Sequence, residues 1–245
     1  MKYIGIIPAR FASTRFPGKP LVNINGKTMI QRVFEQASKA NVLSKVVIAT
    51  DNVQIFEHVN GFGGNVIMTS EHHITGTERC FEVLEKLDET YDVAINIQGD
   101  EPFIDPIQIE KVASCFKNKE IQIATLLKEI SESDELFNEN VIKAVADKNK
   151  KAVYFSRNPI PYFRGKEKSI WTKNHQYFKH IGIYAYKTDI LEQIVKLSPT
   201  PLELAESLEQ LRWIENGYNI SVEFTEIESF SIDSPEDLAK AKPIG

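Results

Sequence analysis

Short apolar runs alternate with amphipathic stretches through the first half of the chain: YIGIIP, residues 28–40, KVVIAT, residues 53–60, NVIM, residues 77–88 and VAINIQ. Runs of four to eight residues rich in Val and Ile suit strands, while the longer stretches repeat their apolar positions at helical spacing. The alternation predicts βα units on a parallel sheet. Both faces of the strands are apolar, as expected where helices cover a sheet on both sides. The predicted fold is α/β, with a mostly parallel Rossmann-like sheet and a smaller mixed region.

That smaller region starts near residue 141, where VIKAVADKNKKAVYFSR reads as two period-two runs around a polar turn, an antiparallel hairpin. Residues 157–177, with Pro159, Pro161 and Gly165, are expected to form a loop over a site or against a partner subunit. HIGIYAY (180–186) predicts a strand, 188–197 and 203–216 predict helices, and 219–226 predicts another strand. A last helix opens at SPEDLAKA, with Ser234 as cap and Pro235 in the first turn. The expected organisation is one domain with two lobes, 1–140 plus about 219–245 and about 141–218.

The 245 residues are 42% hydrophobic and 26% charged, enough to build a substantial core. A formal charge of −5 argues against a broad nucleic-acid surface. No apolar run approaches the roughly 18 residues of a membrane span, and MKYIGIIPAR is too quickly charged for a secretory signal. A cytoplasmic protein is expected, with neither nucleic acid nor membrane as partner. Cys80 and Cys115 lack the paired spacing of a zinc site or disulfide framework and read as small buried residues.

Ligands of parallel sheets bind at the carboxyl ends of strands. Here the loop PARFASTR follows the first strand, TDN follows KVVIAT and GDEP follows VAINIQ. The first of these loops and its continuation place Arg10, Arg15 and Lys19 within ten residues, among Pro8, Pro17, Gly18 and Pro20. It is not a Walker loop, which needs glycine where Ser13 stands and Ser or Thr where Pro20 stands. Pro20 is expected to prevent a helix from starting there. Nor does a dinucleotide fingerprint surround Gly5. Three cations so close suit a polyphosphate, with a solvated basic turn as the alternative.

IPARFASTRFPGKPL, followed in order by ATDN, GTER, NIQGDEP, YFSRNPIP, HIGIYAY, LELAESLEQLRWIENGY and SIDSPEDL, resembles the sugar-activating nucleotidylyltransferases. Within them, it resembles the 3-deoxy-manno-octulosonate (Kdo) cytidylyltransferase family. The resemblance implies transfer of the cytidylyl group of CTP to the anomeric 2-hydroxyl of Kdo. CMP-Kdo and pyrophosphate would be the products, made by a homodimer for lipopolysaccharide biosynthesis. GTER departs from the more usual Gly-Thr-Asp-Arg, which leaves the role of Glu78 open.

The resemblance also distributes roles. Arg10, Arg15 and Lys19 are expected on the triphosphate, with Lys19 nearest the α and β groups; Lys19, Asp100 and Arg10 are the candidate catalytic residues. Magnesium is expected on Asp100, read as ending the strand VAINIQGD beside a permissive Gly99, and on Asp233, read as ending the late strand. Taken alone, these two aspartates read equally as a turn former and a helix cap. The cytosine pocket would draw on Thr77 and Arg79, with the backbone near Ala9 and Gln98; the alternative makes Thr77 a cap and Arg79 part of a solvated face. For the acceptor sugar the candidates are Arg157 on the carboxylate, with Gln98, His180, Tyr184, Glu209 and Gln210. His180 and Tyr184, four apart on a strand, share one face, and ordinary packing is the alternative there. Deprotonation by metal or Asp100 needs no histidine base. The rival readings are the same chemistry on sialic acid or 8-amino-Kdo, and a catalytically silent nucleotide-sugar sensor.

Overall fold

The computed structural model describes residues 1–12 and 16–241. Contacts divide the chain into two units, Met1–Glu110 with Ala185–Val195 and Ser229–Gly245, and Lys111–Tyr184 with Lys196–Glu228.

The first unit carries β1 (Tyr3–Ala9), β2 (Asn23–Ile24), β3 (Lys27–Thr28), β4 (Leu43–Thr50), β5 (Val66–Met68) and β6 (Val93–Asn96). Four of these lie in the order β6, β1, β4, β5, and every pairing among them is parallel. Ile4, Ile6 and Ile7 of β1 and Val47, Ile48 and Ala49 of β4 are fully buried, each Val or Ile contributing about 1.5–3 kcal/mol of burial. The helices Met29–Ala37, Val53–Gly61 and Gly76–Lys86 begin at Thr28, Asn52 and Thr75, whose side chains accept the orphan amides of the first turn. β2 and β3 form a small antiparallel hairpin whose Asn25 and Gly26 both take positive φ, as a two-residue Asn-Gly turn requires.

The second unit carries β7 (Ile123–Ile130), β8 (Lys143–Ala146), β9 (Ala152–Ser156), most of β10 (Tyr177–Lys187) and β11 (Ile220–Thr225). β7 lies between β11 and β10, and the predicted hairpin is the antiparallel pair β8 and β9. Because β7 pairs in parallel with β11 along six residues, 111–140 and 219–228 group with the second unit. Residues 185–195 group with the first. The division therefore falls differently from the lobes expected from the sequence.

Two further expectations are corrected. Residues 157–177 are not all loop: a 3-10 turn at Lys168–Ile170 leads into a helical turn at Trp171–Asn174. Trp171 is buried with Ile130, Leu136 and Tyr177, and its Nε1 donates to the Lys166 carbonyl, so this segment packs within its own unit. The single helix expected over 203–216 is two, Pro201–Glu206 and Glu209–Glu215. Ser207 breaks it with a φ of 52°, left-handed backbone that ends a helix. Among the described residues no helix is long and apolar enough to cross a membrane.

Candidate active site

A cleft opens at the carboxyl ends of β1 and β6, and Lys19, Pro20, Gly99, Asp100 and Asp233 are among the residues that line it. The opening loop delivers Lys19 through Gly18, whose φ of 69° is left-handed and whose N–H donates to the Phe11 carbonyl. A 3-10 turn does start at Lys19–Leu21, contrary to expectation. Pro20 is tolerated because the amide it lacks would be unpaired in a first turn anyway. The Lys19 ammonium donates to Asp100 Oδ2 at 2.7 Å and to Asp233 Oδ1 at 3.0 Å.

Neither aspartate ends a strand. β6 stops at Asn96 and β11 at Thr225, so Asp100 sits in the turn after β6 and Asp233 just before the final helix. Ser234, not Asp233, caps that helix in a capping box with Asp237. The Asp237 carboxylate also accepts the N–H of Asp233. The Ile232 N–H donates to the Asp100 carbonyl at 3.0 Å, joining the two aspartate segments through backbone. A Cβ at Gly99 would stand 2.6 Å from the Pro8 carbonyl oxygen. The close approach expected at Gly99 is thus to the end of β1.

Next to Asp100, the Glu101 carboxyl is buried and accepts a hydrogen bond from Ser229 Oγ at 3.1 Å. Desolvation, with Asp100 and Asp233 adding to it against the Ser229 bond, pushes Glu101 up to about 7. Two carboxylates therefore share the Lys19 ammonium, and Glu101 stands next to one of them in the chain. Arg10 is exposed on the rim of the cleft beside the buried Ala9. Arg15 lies outside the described residues.

His73, Ile74, Thr75, Gly76, Arg79 and Gln98 also line the cleft. Arg79 is not on a solvated face: it is 3% exposed. Its guanidinium pairs with Asp51 at 2.7 Å and donates to Thr69 Oγ1 and to the Ser70 carbonyl. Thr77 is buried and does not line the cleft; the cap is Thr75. Glu78 completes the capping box, its carboxylate accepting the N–H groups of Ile74 and Thr75, which gives this position a role in starting the helix. His73 is tethered through Nε2 to the Glu82 carboxylate.

The candidate sugar residues gather in the second unit, apart from Gln98, which belongs to the first. His180 and Tyr184 lie with ring centroids 5.0 Å apart, and Tyr184 meets Trp213 edge-on at 5.1 Å. His180 shares a 2.9 Å hydrogen bond with Thr125 Oγ1. Desolvation pushes it down to about 3, which leaves the imidazole neutral. Desolvation, followed by the Glu209 charge, holds the Tyr184 hydroxyl well above its ordinary range. Gln210 is buried one residue further along the helix. Arg157 donates through Nε to the Glu206 carbonyl at 2.7 Å, with further contacts to the carbonyls of Glu139 and Ser207. A sugar carboxylate would have to compete with these three oxygens.

The chain is similar to known proteins along nearly its whole length. The cytidylyltransferase family model matches residues 4–237. The 3-deoxy-manno-octulosonate cytidylyltransferase of Parabacteroides distasonis is 55% identical, over 98% of this chain and 97% of that protein. The chain belongs to the 3-deoxy-manno-octulosonate cytidylyltransferase family. The relative of the same name from Geobacter metallireducens is 46% identical, over 98% of this chain and 96% of its own. The solved structure of a CMP:2-keto-3-deoxy-manno-octonic acid synthetase complexed with CTP matches with a TM-score of 0.91 at 39% identity, covering 98% of this chain and 96% of that one.

The expected α/β fold and nucleotidyltransferase class hold for this cytidylyltransferase. Sequence reasoning assigned no role to Asp51, His73, Thr75 or Glu206. Thr75 followed by Glu78 is a capping-box pattern that could have been found. Asp51 stood in the TDN noted at the sheet edge, but nothing local joins it to Arg79. Nor does any short-range pattern join Glu206 to Arg157.

Proposed function

We propose that this protein transfers the cytidylyl group of CTP to the anomeric 2-hydroxyl of 3-deoxy-D-manno-octulosonate, releasing pyrophosphate and giving CMP-Kdo. The observation that carries this reading is the Lys19 ammonium set between Asp100 and Asp233 in one cleft. Attack on the α-phosphorus develops negative charge on both sides of it, and positioned cations stabilise that charge. Lys19 and Arg10 supply two such cations, with Arg15 assigned to the same task. Ala9, Gln98 and Arg79 take the cytosine end, where the Asp51 pair fixes the Arg79 fork. Arg157, His180, Tyr184, Glu209 and Gln210 take the acid sugar.

Magnesium fits the donor set. Two carboxylates share one ammonium beside the raised Glu101, and Mg2+ is commonly held by one or two carboxylates plus phosphate and water. Asp100 and Asp233 would hold it. When bound, it supplies charge stabilisation at the phosphates and lowers the pKa of an oxygen it contacts. Lys19 is assigned to the triphosphate, and the metal or Asp100 to taking the proton of the attacking hydroxyl.

Kdo is favoured over sialic acid and 8-amino-Kdo by the names of the relatives. A silent sensor is disfavoured by the cationic loop and the paired aspartates. Work as a cytoplasmic homodimer supplying lipopolysaccharide assembly belongs to the same proposal and rests on the family resemblance. Incubation with CTP, Mg2+ and Kdo should release pyrophosphate, and omission of Kdo or chelation of the metal should stop it. No release from Kdo, with release from another acid sugar, would move the assignment to that sugar. A mass measurement in solution giving only monomer would remove the dimer.

A further inference from the structure

Two cations of the second unit converge on one short turn. Lys143, fully buried at the start of β8, donates through Nζ to the carbonyls of Asn138 and Val141 at 2.8 and 2.6 Å. Arg157 donates to the Glu139 carbonyl between them. The side-chain carboxylate tied to Arg157 is that of Glu206. Its Oε1 accepts from Ser156 Oγ at 2.7 Å and its Oε2 from the Arg157 N–H at 2.9 Å. The Glu206 carbonyl then accepts from Arg157 Nε. One residue therefore grips Arg157 at both its backbone and its guanidinium. Ser156, the other partner, is itself buried.

Glu206 is also the last residue of the helix Pro201–Glu206, and the left-handed Ser207 after it redirects the chain into Glu209–Glu215. The angle of that break decides where Glu209 and Gln210 stand. Burial lowers the affinity of Lys143 for its proton; Glu206 opposes this, and Arg157 adds to it.

We infer that Glu206 is a positioning residue for the acceptor sugar: it ties the end of β9 to the break between the two helices, presenting Arg157 together with Glu209 and Gln210. The inference rests on the reading that those three residues bind the acid sugar. Glu206 touches no substrate in this account. It acts by fixing the direction of the Arg157 fork, since a charge-assisted hydrogen bond carries geometry as well as energy.

Steady-state kinetics of Glu206→Gln in the full chain test this. Gln keeps an acceptor for Ser156 but loses the charge and one of the two carboxylate oxygens. The expected result is a KM for Kdo raised about tenfold, the size of one charge-assisted hydrogen bond, with the KM for CTP within about twofold of the parent. An unchanged KM for Kdo, or parallel rises for both substrates, overturns the inference. Should Glu206→Gln fail to fold, Ser156→Ala decides: a rise of about threefold confined to Kdo supports the inference, and no rise overturns it. Arg157→Ala and Gln210→Ala separate the two claims. If they raise the KM for Kdo while Glu206→Gln does not, the sugar site stands and the positioning role falls. If they leave it unchanged, the sugar-site reading falls and takes the inference with it.

Discussion

The Lys19 ammonium stands 2.7 Å from Asp100 and 3.0 Å from Asp233, a bridge between two carboxylates from distant parts of the chain. Lys19→Ala would remove both a triphosphate cation and the counter-charge of the aspartates. Loss of one such contact costs about 3 kcal/mol of transition-state stabilisation. Pyrophosphate release should therefore fall on the order of 100-fold or more, while circular dichroism stays unchanged.

Asp100→Asn keeps the size of the side chain and one acceptor oxygen, but removes the charge proposed to hold magnesium. Turnover should be abolished with the fold intact, as read by pyrophosphate release beside a thermal melt. A fully active variant would refute the metal assignment.

Buried Arg79 pairs with half-buried Asp51, and removing Asp51 leaves the guanidinium charge without its counter-ion. Such a break costs about 3–5 kcal/mol. Asp51→Ala should thus lower the melting temperature by on the order of 10 °C. Asp51→Asn, which retains an acceptor for the guanidinium, should lower it less.

His180 links stability to pH. Its folded value is depressed to about 3 by burial, below the ordinary value near 6.5. Between those values the unfolded chain takes up a proton that the folded chain refuses, so stability is present above about pH 6.5 and is lost as the pH falls toward 3. His180→Gln should flatten this part of a melting-temperature profile. An unchanged profile would show that His180 does not set it.

The parallel units of the first 100 residues were legible because local pattern and packing agree there. Val-rich runs alternate with capped amphipathic segments, and Thr28 and Asn52 each start a helix as such residues should. The cationic loop was legible as well, from charge density among prolines. The break at Ser207 was not, because a serine with positive φ carries no signature in an otherwise helical stretch. Residues 111–140, expected with the first lobe, group by contacts with the second unit because β7 pairs with β11, far along the chain, and register between distant strands leaves no local trace. The same limit applied at the site. Charge density pointed to Lys19, and the family resemblance to Asp100 and Asp233, but the burial of Arg79 depends on Asp51 and Thr69, which only the folded chain brings to it.

At residue 99 a lone hydrogen sets the gap between neighbouring strand ends, since a methyl in its place would meet the Pro8 carbonyl at 2.6 Å. The lining at Gly99 is therefore closed to redesign. Anyone wishing to admit a bulkier nucleotide must carve room elsewhere, from exchangeable side chains such as His73 and Ile74.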